Sequence, residues 1–322
     1  MVGATPIQSR AQAYGFAQGA HRNAPLKRSV GTHSRCGNSG EIVSTAVMMA
    51  VLFGAFLHAS WNALVRGALD GTSSTILVVT GAGLIAACWL PFAPLPAAPS
   101  WPYLAMSVVV HIAYFVLVAA AYRKGQLSFV YPIMRGSAPA VSAAFAALLL
   151  NEMPSAGGWL GVLLICCGVI LLAADSWRAK SFQAASAIFA FANAGVIVLY
   201  TLVDGVGARL SGHPVSYTGW MILLTALSSA AIVSTRHRLN TTQYIRRHWL
   251  RGLMGGACML GSYGLALWAM TRAPIALVAA LRETSVIFAL VIAATLLRER
   301  ITPMRYASIF IVVAGALAIK VS

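Results

Sequence analysis

Acidic residues are what this chain has least of. Seven Asp and Glu stand against 23 Lys and Arg, and all charged residues together make up 9% of 322 positions. Soluble domains average about 25% charged residues, so this chain lacks the polar surface that a water-facing fold needs. Cysteine is sparse and unpatterned. Cys36, Cys88, Cys166, Cys167 and Cys258 form no spaced framework, four of them lie in apolar runs, and they read as packing residues. Catalytic signatures are missing too. There is no HExxH, no His pair at metal-ligand spacing, no Gly-x-Ser-x-Gly elbow and no P-loop to power transport with ATP. An intramembrane aspartyl protease needs two facing carboxylic acids, and Asp204 is the one aspartate well inside an apolar run. These gaps argue against an enzyme, and no metal or cofactor is implied.

Apolar sequence is abundant: 59% of residues are hydrophobic and the mean hydropathy is +0.78. A bilayer-spanning helix needs about 20 apolar residues. Candidate spans run over 44–66, 73–95, 102–122, 128–150, 157–174, 184–206, 215–235, 249–271, 275–297 and 303–321. The fifth is short, and the sixth ends ambiguously near Asp204. Pro91, Pro94 and Pro96 close the second, and Arg123-Lys124-Gly125 turns the chain after the third. The expected fold is an all-α polytopic membrane protein of ten transmembrane helices.

A formal charge of +16 would suggest nucleic acid on a soluble protein. Here most cations sit in short loops, where they report topology, and no nucleic-acid partner is expected. Loops bearing Arg123, Lys124, Arg178, Lys180, Arg236, Arg238, Arg246, Arg247, Arg251, Arg298, Arg300 and Arg305 share one side. The positive-inside rule makes that side cytoplasmic and puts both termini outside. Residues 1–43 stand apart, with five Arg or Lys (Arg10, Arg22, Lys27, Arg28, Arg35), no acid before Glu41, and no apolar core of signal-peptide length. An Arg-rich, acid-poor start allows an organellar transit peptide. The simpler expectation is a disordered tail, or an upstream start ahead of Met48, outside the fold.

The chain also repeats itself. Slid by 147 positions, residues 128–172 lie over 275–319 without a gap. Arg135 then falls on Arg282, Glu152 on Glu299, Gly168 on Gly315, and Leu149-Leu150 on Leu296-Leu297. Apolar matches are cheap in such a chain, but charges inside apolar runs are rare. Two repeats are expected, 44–174 and 184–321, each of five helices. Membrane carriers are often built from paired repeats with substrate held between them.

Arg135 sits about seven residues into the fourth helix, near 10 Å along its axis, and Arg282 at the matching depth in the ninth beside Glu283. A charge at that depth costs roughly 2.5–3.5 kcal/mol and should face the bundle interior. Either the arginines meet substrate in a central cavity, or each snorkels or pairs structurally with Glu283 or Asp204. Tyr131 lies one turn before Arg135. His58 and Asn62 share a face of the first helix with Trp61 beside them, His111 and Tyr114 share one on the third, and Tyr200 precedes Asp204 by a turn on the sixth. Tyr263 and Trp268 lie on the eighth. Singly, such aromatics anchor or pack. Together they would line a cavity fit for a small organic ligand. Glycine pairs at 157/161 and 252/256 permit close helix contact, while Glu152 and Glu299 close the fourth and ninth helices and read as structural.

Several of these residues resemble one known family. The run from Tyr131 through Pro139, Leu-Leu-Asn-Glu at 149–152, Trp159-Leu160-Gly161 and Gly168 look like the EamA domain of the drug/metabolite transporter superfamily. Leu-Leu-Arg-Glu at 296–299 and Gly315 look like a second copy. HASWNALVRG at 58–67 and YTLVDGVGAR at 200–209 are similar to a less characterised branch. The resemblance covers about residues 44–321. It implies two inverted five-helix repeats around a central cavity, in a multi-pass protein of the inner or plasma membrane. The expected activity is secondary transport of a small anionic or zwitterionic organic metabolite by alternating access, export included. A channel or a non-transporting scaffold is the alternative. Partners are that small molecule and the lipid bilayer; a coupling proton, a counter-substrate and a homodimer are further partners such an architecture allows.

Overall fold

The computed structural model describes residues 43–66, 71–124, 127–177, 184–236, 240–296 and 302–322. The expected tail lies outside the described residues, as does Glu299. The rest is helical: α1 (Thr45–Arg66), α2 (Gly71–Trp89), α3 (Trp101–Lys124), α4 (Leu127–Leu150), α5 (Ala156–Trp177), α6 (Ala184–Leu210), α7 (Pro214–Arg236), α8 (Asn240–Met270), α9 (Ile275–Arg282), α10 (Ser285–Leu296) and α11 (Pro303–Val321). Six helical stretches among the described residues are long and apolar enough to cross a membrane, Ile275–Thr295 among them. Their outer faces carry Phe53, Leu84, Phe191, Met254 and Phe310 exposed. A water-soluble bundle would not leave so many large apolar side chains uncovered.

Local chemistry sets the helix ends. Pro91 ends α2 in a single tight turn, Leu90–Phe92, because proline cannot supply the next helical N–H. Thr302 caps α11 by accepting from the Arg305 N–H, ahead of Pro303 at the first helical position. The eighth helix starts earlier than its apolar run predicts, at Asn240, and kinks at His248 (φ −122°) where the polar turns give way to the apolar segment.

One expectation needs correction. The ninth helix, read as continuous over 275–297, is broken after Arg282. Glu283 N–H donates to Ala280 O, Thr284 N–H to Leu281 O, and Ile287 N–H to Thr284 O, so the α-helical ladder tightens for one turn. The Thr284 hydroxyl also donates to Leu281 O at 2.7 Å. Back-bonding of this kind favours a bend over straight helix. No glycine or proline marks the place.

Two glycine-based contacts hold the helices close. A Cβ on Gly81 would stand 2.2 Å from Gly252 O, and one on Gly256 2.3 Å from Ala82 N, so α2 and α8 touch backbone to backbone. Likewise α5 meets α11: a Cβ on Gly161 would lie 2.7 Å from Gly315 O, and one on Gly168 3.1 Å from Ser308 O. The 147-residue shift turns Gly161 into Ser308 and Gly168 into Gly315. Exchanging the copies therefore maps one contact onto the other. The Ile165–Gly315 and Val312–Gly168 contacts exchange in the same way. At larger scale α1 packs on α8 as α6 packs on α3, and α4 packs on α6 as α9 and α10 pack on α1. The centre is α9, with Ile275 through Leu281 all buried.

Candidate functional site

Glu152 and Arg209 set the position of α9. Glu152 follows Asn151, whose φ of 53° turns the chain sharply off the end of α4. One carboxylate oxygen accepts from Ile275 N–H at 2.8 Å, at the first turn of α9, and the other accepts from Arg209. Arg209 in turn donates to Met270 O (2.7 Å), at the end of α8, and to Ala273 O (3.1 Å), in the turn that follows. A carboxylate at a helix N-terminus meets unpaired N–H groups and the positive end of the helix dipole. One knot thus ties the end of α4, the end of α6 and the α8–α9 turn.

At the far end of α9 lies a buried charged cluster. Arg135 on α4 grips Glu283 with two contacts, Nε to Oε2 and Nη2 to Oε1, each 3.0 Å. Both side chains are 7% exposed, which makes this a forked, desolvated ion pair. The expected structural partner of an arginine is thus Glu283, and the arginine it serves is Arg135. Its neighbour Arg282 is half-buried and lies over the Tyr263 ring, 5.1 Å from the centroid. Among the described residues no carboxylate lies within ion-pair distance of Arg282.

Asp204 on α6 is fully buried and forms the second anionic point. Tyr217 donates to one oxygen at 3.1 Å, and Tyr263 donates to the other. Tyr263 therefore links the two halves of the cluster, with its hydroxyl on Asp204 and its ring face under Arg282. Around it the aromatics interlock. His111 stacks on Tyr200 at 4.8 Å, meets the Tyr263 edge at 5.8 Å, and Tyr114 meets Tyr200 at 5.9 Å. His111 Nδ1 lies 2.9 Å from Ser107 O and 3.3 Å from the Ser107 hydroxyl, so it donates to the carbonyl in one tautomer and accepts from the hydroxyl in the other.

His58 lies on α1, its ring edge against Trp61 with centroids 5.3 Å apart. Trp61 and Asn62 are occupied along their own helix: Trp61 Nε1 donates to His58 Nδ1 at 3.4 Å, and Asn62 to His58 O at 2.8 Å. Tyr131 falls in α4, but its side chain lies outside those described. The structure thus gathers Arg135, Arg282, Glu283, Tyr200, Asp204, His111 and Tyr114 in one region. It adds Tyr217 and draws in Tyr263. Thirteen positions and a helix reversal separate Tyr217 from Asp204, so no spacing signal marked it. An open, ligand-sized cavity was expected here. Beside the cluster a space of about 30 Å³ borders His111 and Tyr263.

Long apolar helices, an exchange of contacts between two sets of them, and a charged cluster between the sets define a multi-pass membrane protein built on a duplicated unit. The model of the EamA-like transporter family matches residues 45–174 and again 184–321, and the chain belongs to that family, within the drug/metabolite transporter superfamily. A protein of known crystal structure is similar, with a TM-score of 0.69 and 16% identity over 85% of this chain and 96% of that one. At that identity the likeness shows the fold alone. No curated protein matches the sequence.

Proposed function

We propose that this chain is a secondary carrier for a small organic acid, anionic or zwitterionic, held between its two repeats. The proposed architecture is ten transmembrane spans, in two inverted five-helix repeats (44–174 and 184–321), in the inner or plasma membrane. Family membership supports a transporter and a small-molecule substrate; the exchange of contacts between α5 and α11 supports the inverted relation. The observation that carries the substrate class is Arg282, a cation at a helix break with an aromatic neighbour and no carboxylate partner among the described residues. Arg282 receives the acid group. Asp204 and Glu283 balance the two arginines in formal charge, so a zwitterion adds no net charge to the site and fits better than a dianion. Tyr200, Tyr263, His111, Tyr114 and His58 pack the organic part, with Trp61 and Asn62 toward its margin; Tyr131 is a further candidate from the sequence. Transport runs by alternating access, with the two repeats rocking about this cluster.

The test begins with a thermal-shift screen of detergent-purified protein against organic acids and amino acids. A ligand at a hundredfold excess over Kd stabilises the folded state by about 2.7 kcal/mol. Hits then go to liposome flux. Saturable uptake with countertransport, abolished by Arg282→Gln in a protein that still inserts and folds, is the expected result. Flux that never saturates and shows no countertransport would mean a channel. No flux of any hit, with cavity substitutions silent, would mean a scaffold.

A further inference from the structure

Beside the charged cluster, the wall of the bundle carries a second cavity. It has a volume of about 360 Å³ and is bordered by Trp89, Val215, Leu260, Gly264, Leu265 and Trp268, among others. That volume lies within the roughly 300–1,000 Å³ range of small-molecule sites. Its lining comes from the first turns of α1 (Ala50), the end of α2, the start of α7 and the last turns of α8, so it lies toward one end of the helices. Gly264 is part of the reason there is room: a Cβ there would meet only Thr218 Cγ2, at 3.9 Å. At the same end stands Arg272, exposed in the turn after α8, with its guanidinium 4.3 Å from the centre of the Trp268 ring. Among the described residues no carboxylate lies within ion-pair distance of Arg272.

An apolar slot with one cation at its end matches an amphiphile with an apolar tail and an anionic head. We infer that this groove is a binding site for one anionic phospholipid of the bilayer, with an acyl chain between α2, α7 and α8 and the phosphate on Arg272. Charge complementarity selects the head: an arginine fork grips a phosphate at two points. Apolar lining selects the tail. The site also adjoins the cluster. Tyr217 and Tyr263 hold Asp204, while their chain neighbours Thr218 and Gly264 border the groove. A seated lipid therefore bears on the two helices that clamp the buried aspartate. This inference does not depend on which solute is carried.

The test is native mass spectrometry of the full-length protein in detergent, titrated with dioleoyl phosphatidylglycerol and, separately, dioleoyl phosphatidylcholine. The wild type should hold one phosphatidylglycerol more tightly than phosphatidylcholine. Arg272→Gln should erase that preference, a loss of about fivefold for one basic residue at an anionic surface. Gly264→Leu, which fills the slot, should weaken both lipids. If Gly264→Leu does not fold, the Arg272 comparison decides alone. Equal affinity for the two lipids in the wild type, or a preference that survives Arg272→Gln, would overturn the inference. So would dimers that form through this face and exclude lipid.

Discussion

Removing Arg135 should destabilise the protein by a definite amount, and removing Glu283 with it should return most of that loss. In Arg135→Gln the Glu283 carboxylate loses two charge-assisted contacts of 3.0 Å while remaining buried. Hydrogen bonds to charged groups contribute about 1.5–3 kcal/mol each. Two of them bracket the roughly 3–5 kcal/mol lost when one partner of a buried pair is deleted. Part of that is the cost of stranding Glu283, so the double variant Arg135→Gln/Glu283→Gln, with no charge left to strand, should recover at least half. Arg282→Gln alone should cost less than either single change at the pair, because its guanidinium is half-buried and engages a ring face rather than an acid. The assay is a double-mutant cycle on equilibrium unfolding in mild detergent, with the coupling term as the readout. A coupling below about 1 kcal/mol would mean that the pair is not a buried structural contact. A strong Arg282–Glu283 coupling in its place would mean that the arginines have exchanged partners.

Two further outcomes follow from the same geometry. Tyr217→Phe removes one of the two hydroxyl donors to fully buried Asp204 and should cost about 1–3 kcal/mol in the same unfolding assay; paired with Asp204→Asn the penalty should shrink, and an unchanged penalty would count against the contact. Glu152→Ala removes both the acceptor for Ile275 N–H and the partner of Arg209. It should destabilise by about 1–2 kcal/mol, the range for lost caps, and hydrogen exchange should rise at the α8–α9 turn before it rises elsewhere.

The paired arginines were legible because a charge in an apolar run is expensive enough to stand out in sequence. Their different fates were not. Arg135 and Arg282 occupy equivalent positions under the repeat, yet the ion pair joins Arg135 to a residue 148 positions away. Copy one has Gly136 at the place of Glu283, so the duplication carries no record of the pair. Glycine spacing at 252/256 and at 161 showed where backbones could meet, and they do. The break after Arg282 left no such trace: it goes with a threonine hydroxyl bonded back within its own turn, which many unbroken helices also show, and with a charged side chain drawn away to α4. His58, Trp61 and Asn62 show the limit of face arguments. Their shared face is real, but Asn62 spends its amide on its own helix.

The same break bears on how the chain enters the membrane. A continuous helix has its dipole ends at the two water boundaries; one interrupted after Arg282 has two more ends, C-terminal to α9 and N-terminal to α10. A carbonyl-rich end favours a cation, by about 0.3–1 kcal/mol at exposed sites and up to about 2 when partly buried. Arg282 occupies that end of α9, where the chain tightens through Glu283 and Thr284 before α10 begins at Ser285. The arginine's insertion penalty, roughly 2.5–3.5 kcal/mol on a uniform helix, is thereby partly offset by the backbone itself. Restoring an unbroken helix across residues 282–285 should therefore make this segment harder for the insertion machinery to accept, even though it would add a hydrogen bond or two.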